Sequence, residues 1–321
     1  MVAHSLAPWS SEQHETTLSE GDFRRRGLTQ KLFAKGMMKL ERDRVKGMLW
    51  GLVVGDCLGS PVQFSCKDDH PWITEMMPCY TFCTPPGYWT DDSSMAMCIM
   101  DSYLSVGGYD LRDIGMSFWE WFEDGYLSSK DGQAFDVGCA TYLACSAIGK
   151  EGSLVNGTED SQGNGSIMRF APSYLIARKE GRYEIMHEVS DLTHASKAVH
   201  KVCDELAGVL DDHLAGKRTK FGPGKEMKRE SVPNSGWAVE TLQAALWAFN
   251  TTETFEEGMI AAVNLGGDAD SIGAVYGQIA GAYYGFAAIP VRWVKAVKTW
   301  EKVDDLIERF VNSVLPDTGN A

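Results

Sequence analysis

Two short acidic segments hold the residues best suited to chemistry: Thr90-Asp91-Asp92-Ser93 and Gly266-Gly267-Asp268-Ala269-Asp270-Ser271. Each places two carboxylates beside a hydroxyl in a stretch that is otherwise apolar or glycine-rich. Burying such carboxylates is costly unless they are paired, protonated or bound to a cation. Brought together, the segments offer an all-oxygen donor set suited to Mg²⁺ or Mn²⁺. The number of acids exceeds what one such ion usually recruits and allows a two-metal site. A second reading stands beside this one. Asp91 or Asp92 could cap the helix that starts at the apolar run Met95–Met100, and Asp268 could cap the helix after it. Capping accounts for one acid per segment, not two.

The elements that must bring these segments together are marked by glycine. Gly47, Gly51, Gly55 and Gly59 recur every fourth residue, as do Gly273, Gly277, Gly281 and Gly285. Glycine costs a helix interior about 1 kcal/mol relative to alanine, so such ladders need a packing reason. A spacing of four places them on one face, where another backbone can come close. Two helices of this kind are expected to cross near the acidic segments and to bring Asp56 there. The alternative, a membrane span over residues 272–290, is disfavoured by Gln278 and by the two unpartnered acids at its mouth.

Nearly every periodic segment has helical spacing. Helices are expected over 40–59, 92–106, 111–123, 136–149, 166–178, 183–190, 195–215, 237–249, 255–264, 269–287 and 302–314. With 321 residues and 44% hydrophobic content, the reading is one all-α domain over 39–315, with long helices around a central site. Residues 1–38 read as a disordered N-terminal extension and 316–321 as a tail. The net charge of −14 argues against strong general nucleic-acid binding. The one basic island, Lys217–Arg229, reads as a solvated loop. Eight cysteines without a Cys-x-x-Cys pair fit reduced thiols in an intracellular protein, cytoplasmic or nuclear. A monomer without membrane attachment is expected.

A third segment, Ser161-Gln162-Gly163-Asn164-Gly165-Ser166, precedes an apolar helix. Backbone N–H groups at a helix start suit a phosphate or pyrophosphate, although an ordinary turn capped by Ser166 reads equally well. His194 could donate to the same phosphate or serve as a structural donor. Arg169 could pair with an acid such as Asp92 or brace the core.

Taken in order, these residues resemble one family. Gly51-x-x-x-Gly55-Asp56-Cys57-Leu58-Gly59-x-Pro61, Thr90-Asp91-Asp92, Gly163-Asn164-Gly165 with Met168-Arg169, Thr193-His194, Ser235-Gly236-Trp237 and Gly266 to Ser271 follow the pattern of the ADP-ribosylglycohydrolases. The resemblance spans about residues 43–312. It implies an all-α orthogonal bundle around a binuclear Mg²⁺ or Mn²⁺ centre and hydrolysis at C1″ of the distal ribose of an ADP-ribosylated substrate. Carried over, it assigns Thr90, Asp91, Asp92 and Asp270 to one metal, and Asp268, Asp270 and Ser271 to the other. Asp91 or Asp268 is then the carboxylate that positions or deprotonates the attacking water. The 161–166 loop and His194 take the pyrophosphate, and Asp56 braces the site. Two departures stand out: Gln63 where members commonly carry Glu, and Ser271 where they carry Thr. An inactive ADP-ribose-binding or structural member of the fold, or a two-metal phosphoesterase, are the rival readings.

Overall fold

The computed structural model describes residues 20–315, with side chains from Lys39 onward apart from Leu40. The first nineteen residues and the tail 316–321 lie outside the described residues, as do the side chains of the rest of the expected extension. The chain divides into two units, 1–40 and 41–321. Everything below concerns the second.

The described elements are α-helices joined by turns, short 3-10 segments and two isolated β-bridges. In order they are α1 (Glu20–Gly59), α2 (Asp91–Val106), α3 (Leu111–Asp124), α4 (Cys139–Glu151), α5 (Gly165–Met168), α6 (Phe170–Glu180) and α7 (Glu184–Asp191). After them come α8 (Lys197–Leu214), α9 (Ala238–Thr251), α10 (Phe255–Val263), α11 (Ala269–Tyr284), α12 (Val291–Ala296) and α13 (Trp300–Val314). Outer helices follow the amphipathic rule. On α13 the buried residues are Val303, Leu306, Ile307, Phe310, Val311 and Val314, a three-and-four spacing that faces inward. By contrast α11 is buried on every side from Ala269 to Ala282 and packs on α8, α9, α10, α2 and α5.

Except for α1, which begins at Glu20 instead of residue 40 and so takes in part of the expected N-terminal extension, the expected helices are found with ends shifted by a few residues, and two further differences have physical causes. The single helix expected over 166–178 is broken at Arg169, whose backbone (φ −107°, ψ 23°) ends α5 and starts α6. The helix expected to start at 136 starts at Cys139, because Asp136 adopts φ +58° and Gly138 caps from extended backbone. The short α12 has no counterpart in the sequence reading.

The glycine ladders meet face to face. A Cβ built on Gly51 would stand 2.1 Å from the Gly277 carbonyl oxygen, and one on Gly277 1.9 Å from that of Gly51. Gly55 faces Gly273 and Gly47 faces Gly281 in the same way, so α1 and α11 run antiparallel with their backbones in contact. No side chain fits between them. None of the helices among the described residues is long and apolar enough to cross a membrane.

Gly51→Ala or Gly277→Ala is therefore expected to destabilise the fold by at least about 2 kcal/mol, through overpacking against backbone that cannot move aside. Gly108→Ala, with open space around its Cβ, should change stability by under about 0.5 kcal/mol. Urea unfolding followed by circular dichroism separates the two classes, and equal effects would overturn the packing argument.

Candidate active site

The first acidic segment forms the opening turn of α2, and its N-terminus is capped from outside. Thr90 occupies the cap position without a side-chain cap bond. Asp56, fully buried on α1, takes that role. Its carboxylate accepts from Thr90 N at 2.9 Å, Thr90 Oγ1 at 3.0 Å, Ser93 N at 3.0 Å and Ser93 Oγ at 2.6 Å. Asp56 is thus the brace that the resemblance implies. Asp91 and Asp92 have no capping work to do, and the capping reading of them fails.

The second segment turns into α11 through Gly266 and Gly267, at φ +64° and +63°. Gly267 N donates to Ser65 O at 2.8 Å and Phe64 N to Gly267 O at 2.6 Å, which ties the loop after α1 to the start of α11. Asp268 makes no side-chain cap bond; its Oδ2 accepts from Asn164 Nδ2 at 2.7 Å. The Ser271 hydroxyl donates to Asp92 Oδ2 at 3.4 Å and joins the two segments.

Together they line a cavity of about 590 Å³ with Asp91, Asp92, Asp268, Asp270 and Ser271 on its floor, within the range of small-molecule sites. Burial, followed by the charge of neighbouring acids, drives the carboxyls of Asp91, Asp92 and Asp270 well above the ordinary carboxylate range. Burial also raises Asp268, and raises Asp56 and Asp136 to about 6. Three buried oxygens there have no hydrogen-bond partner among the described residues: Asp92 Oδ1, Asp270 Oδ1 and Gln63 Oε1. No group of three or more His, Cys, Asp or Glu side chains among the described residues is gathered tightly enough to hold a metal ion by itself. Even so, unpartnered buried oxygens amid mutually repelling carboxylates, with hydroxyl and amide oxygens beside them, have the donor chemistry that fits hard divalent cations.

The expected site residues come together with two exceptions. Gln63, Ser161, Gln162, Gly163, Asn164, Gly165 and His194 all line the same cavity. Thr90 lies beneath it, fully buried on Asp56. Ser166 turns away from it: its hydroxyl shares a 2.7 Å hydrogen bond with that of Ser190 and neither caps α5 nor faces a ligand. Only four residues long, α5 contributes little dipole, so an anion there must rely on local donors. Arg169 braces the core beneath the cavity: it is buried, donates to Thr193 Oγ1 and lies over the Phe118 ring.

Asp136 escaped the sequence reading. It sits in the turn before α4, lines the cavity, and accepts from Gln63 Nε2 at 2.7 Å. A lone Asp in a polar loop carries no periodic signal. Cys139 opens α4 on the cavity wall.

The ADP-ribosylglycohydrolase family model matches residues 37–318. The chain belongs to the ADP-ribosylglycohydrolase family, whose members are metal-dependent. It is 34% identical over 290 residues to ADP-ribosylarginine hydrolase Tri1 of Serratia proteamaculans, covering 84% of this chain and 79% of that protein. The ADP-ribosyl-[dinitrogen reductase] glycohydrolase of Rhodospirillum rubrum is 29% identical over 299 residues, 86% of this chain and 97% of its own. A solved structure titled ADP-ribosylglycohydrolase-related protein complex superposes with a TM-score of 0.73 at 33% identity, over 86% of this chain and all of that one.

The raised carboxyls make a signed prediction for chelator-treated protein. The fold holds these protons more tightly than the unfolded chain, so stability falls as pH rises from about 4 through about 6. Asp136→Asn removes one such group. In EDTA its melting temperature should gain on wild type as pH goes from 4.5 to 7, and a constant gap would contradict the origin assigned to the shift.

Proposed function

We propose that the protein is a metal-dependent hydrolase that cleaves the bond at C1″ of the distal ribose in ADP-ribosylated substrates, with arginine as the acceptor. The observation that carries this is the convergence of both acidic segments, with buried unpartnered oxygens, on one cavity that residues 161–165 also line.

Two divalent cations, Mg²⁺ or Mn²⁺, would be held by Asp91, Asp92, Asp270, Asp268 and Ser271, as the resemblance divides them; Thr90, which it also assigns, lies beneath the cavity with its hydroxyl on Asp56. Bound there, such ions would lower the pKa of a water and offset developing charge. The chain supplies the rest. Asn164 fixes the carboxylate plane of Asp268, so that Asp268, with Asp91 across the floor, can orient the water and take its proton. Residues 161–165 and His194, which line the cavity, take the pyrophosphate.

Gln63 and Asp136 favour a guanidinium acceptor. Asp136 accepts from the Gln63 amide N–H, which leaves Gln63 Oε1 without a partner. The Asp136 carboxylate on the cavity wall is an acceptor, and guanidinium is donor-only, planar and cationic. The exposed ring of Phe64 at the cavity rim adds a face for the cation. A serine acceptor would leave most of this unpaired. That the Tri1 relatives are named for ADP-ribosylarginine supports the same choice.

The test is incubation with an ADP-ribosyl-arginine peptide and Mg²⁺, with products identified by mass spectrometry. Intact ADP-ribose and unmodified arginine are expected, with loss of turnover in EDTA and in Asp268→Ala. AMP as product would indicate a phosphoesterase instead, and turnover indifferent to EDTA would remove the metal. Asp136→Asn should lower kcat/KM on the arginine conjugate about 10- to 100-fold, the worth of a hydrogen bond to a charged group, while ADP-ribose affinity changes far less. Equal losses in both would place Asp136 elsewhere in the mechanism.

A further inference from the structure

Arg169 is a buried cation without an obvious duty. It is 1% exposed, and no carboxylate contacts it among the described residues. Nη1 reaches Met95 Sδ at 3.4 Å, and Nε has no partner. Removing a guanidinium from water without a salt-bridge partner is expensive. What it does touch is Thr193 Oγ1, at 2.5 Å from Nη2. That hydroxyl lies 2.7 Å from His194 Nδ1, and it has no other side-chain partner among the described residues.

We propose that Arg169 and Thr193 are positioning residues that lock His194 in the tautomer with its proton on Nε2, so that this N–H is presented to an anionic oxygen of the diphosphate in the cavity. The ligand rests on the ADP-ribose reading above; the lock does not.

The argument is one of donors and acceptors. Arginine only donates, so Thr193 Oγ1 accepts from it. The single Thr193 proton then has one acceptor within reach, His194 Nδ1. Were Nδ1 protonated instead, the fully buried Thr193 O–H would be left without an acceptor, at the cost of an unmade buried hydrogen bond. Burial, with the Arg169 charge second, holds His194 down to about 3, so the ring is neutral and carries a single N–H. Which nitrogen carries it decides whether a donor or a lone pair meets the ligand. Packing aims the ring. A Cβ on Gly165 would stand 2.4 Å from His194 Cε1, and one on Gly163 3.2 Å from Nε2. Nε2 therefore lies against the 161–166 loop, on the cavity wall.

The test uses the full chain labelled with ¹⁵N-histidine. Long-range ¹H–¹⁵N correlation separates the two tautomers, and His194→Gln identifies the His194 signals. Wild type should show the Nε2–H pattern, unchanged from pH 5 to 8. Thr193→Val should admit the Nδ1–H form, weaken ADP-ribose binding about tenfold by calorimetry and raise KM with little change in kcat; Thr193→Ser should restore all three. An Nδ1–H or protonated His194 in wild type overturns the proposal without recourse to any variant, as does a Thr193→Val protein that keeps the wild-type tautomer. A wild type with the Nε2–H pattern that fails to bind ADP-ribose leaves the lock standing and removes the ADP-ribose reading.

Discussion

Everything in the site depends on α1 and α11 touching through their backbones. The ladder from Gly47 to Gly59 lies on its counterpart in α11 with carbonyl oxygens where side chains would normally stand. That contact brings Asp56, which ends up capping α2, within reach of the helix that begins after Asp268. It also brings the loop after Gly59 alongside Gly267, where Phe64 and Ser65 exchange backbone hydrogen bonds with it. Larger residues would separate the helices by a side-chain layer, and the two acidic segments would part with them. The cost of glycine in a helix is accepted for proximity that no other residue allows.

The site is also an electrostatic compromise. Asp91, Asp92, Asp268 and Asp270 crowd one cavity, with Asp56 beneath and Asp136 at the side, and burial together with the charge of neighbouring acids discourages ionisation of Asp91, Asp92 and Asp270. Such a cluster needs protons or cations to persist, and cations are the natural occupants at neutral pH. Among the described residues the fold places one buried Arg or Lys nearby, Arg169. It stands behind Thr193 rather than against the acids, which leaves their oxygens uncommitted.

Much of this was legible in the sequence because its signals are local. Fourfold glycine spacing, apolar periodicity and paired acids beside hydroxyls all lie within single segments. The family pattern orders them, and the positions of Gln63, the 161–166 loop and His194 followed. What escaped was set by tertiary contact. Asp136 acquires meaning only because Gln63, far off in sequence, donates to it. Ser166 seemed a cap until Ser190 proved to be its partner. The break at Arg169 cannot be read from an apolar run, since it reflects a side chain drawn inward to Thr193. The Asp56 cap is of the same kind: α2 owes its first turn to a residue on another helix.

The pairing of α1 with α11 also has a consequence in time. Their contacts join Gly51 to Gly277, so the innermost seam of the domain closes between its first and one of its last long helices. At roughly 5–20 residues per second of synthesis, the smooth face of α1 waits on the order of tens of seconds for its only fitting partner. Until then a strip of bare helix backbone and the buried acid Asp56 are exposed together. Hydrolytic competence thus arrives late and all at once, because the second acidic segment and α11 are among the last parts of the domain to be made. A nascent chain halted before α11 holds the first acidic segment without Asp270 and Ser271 to close the cavity beside it.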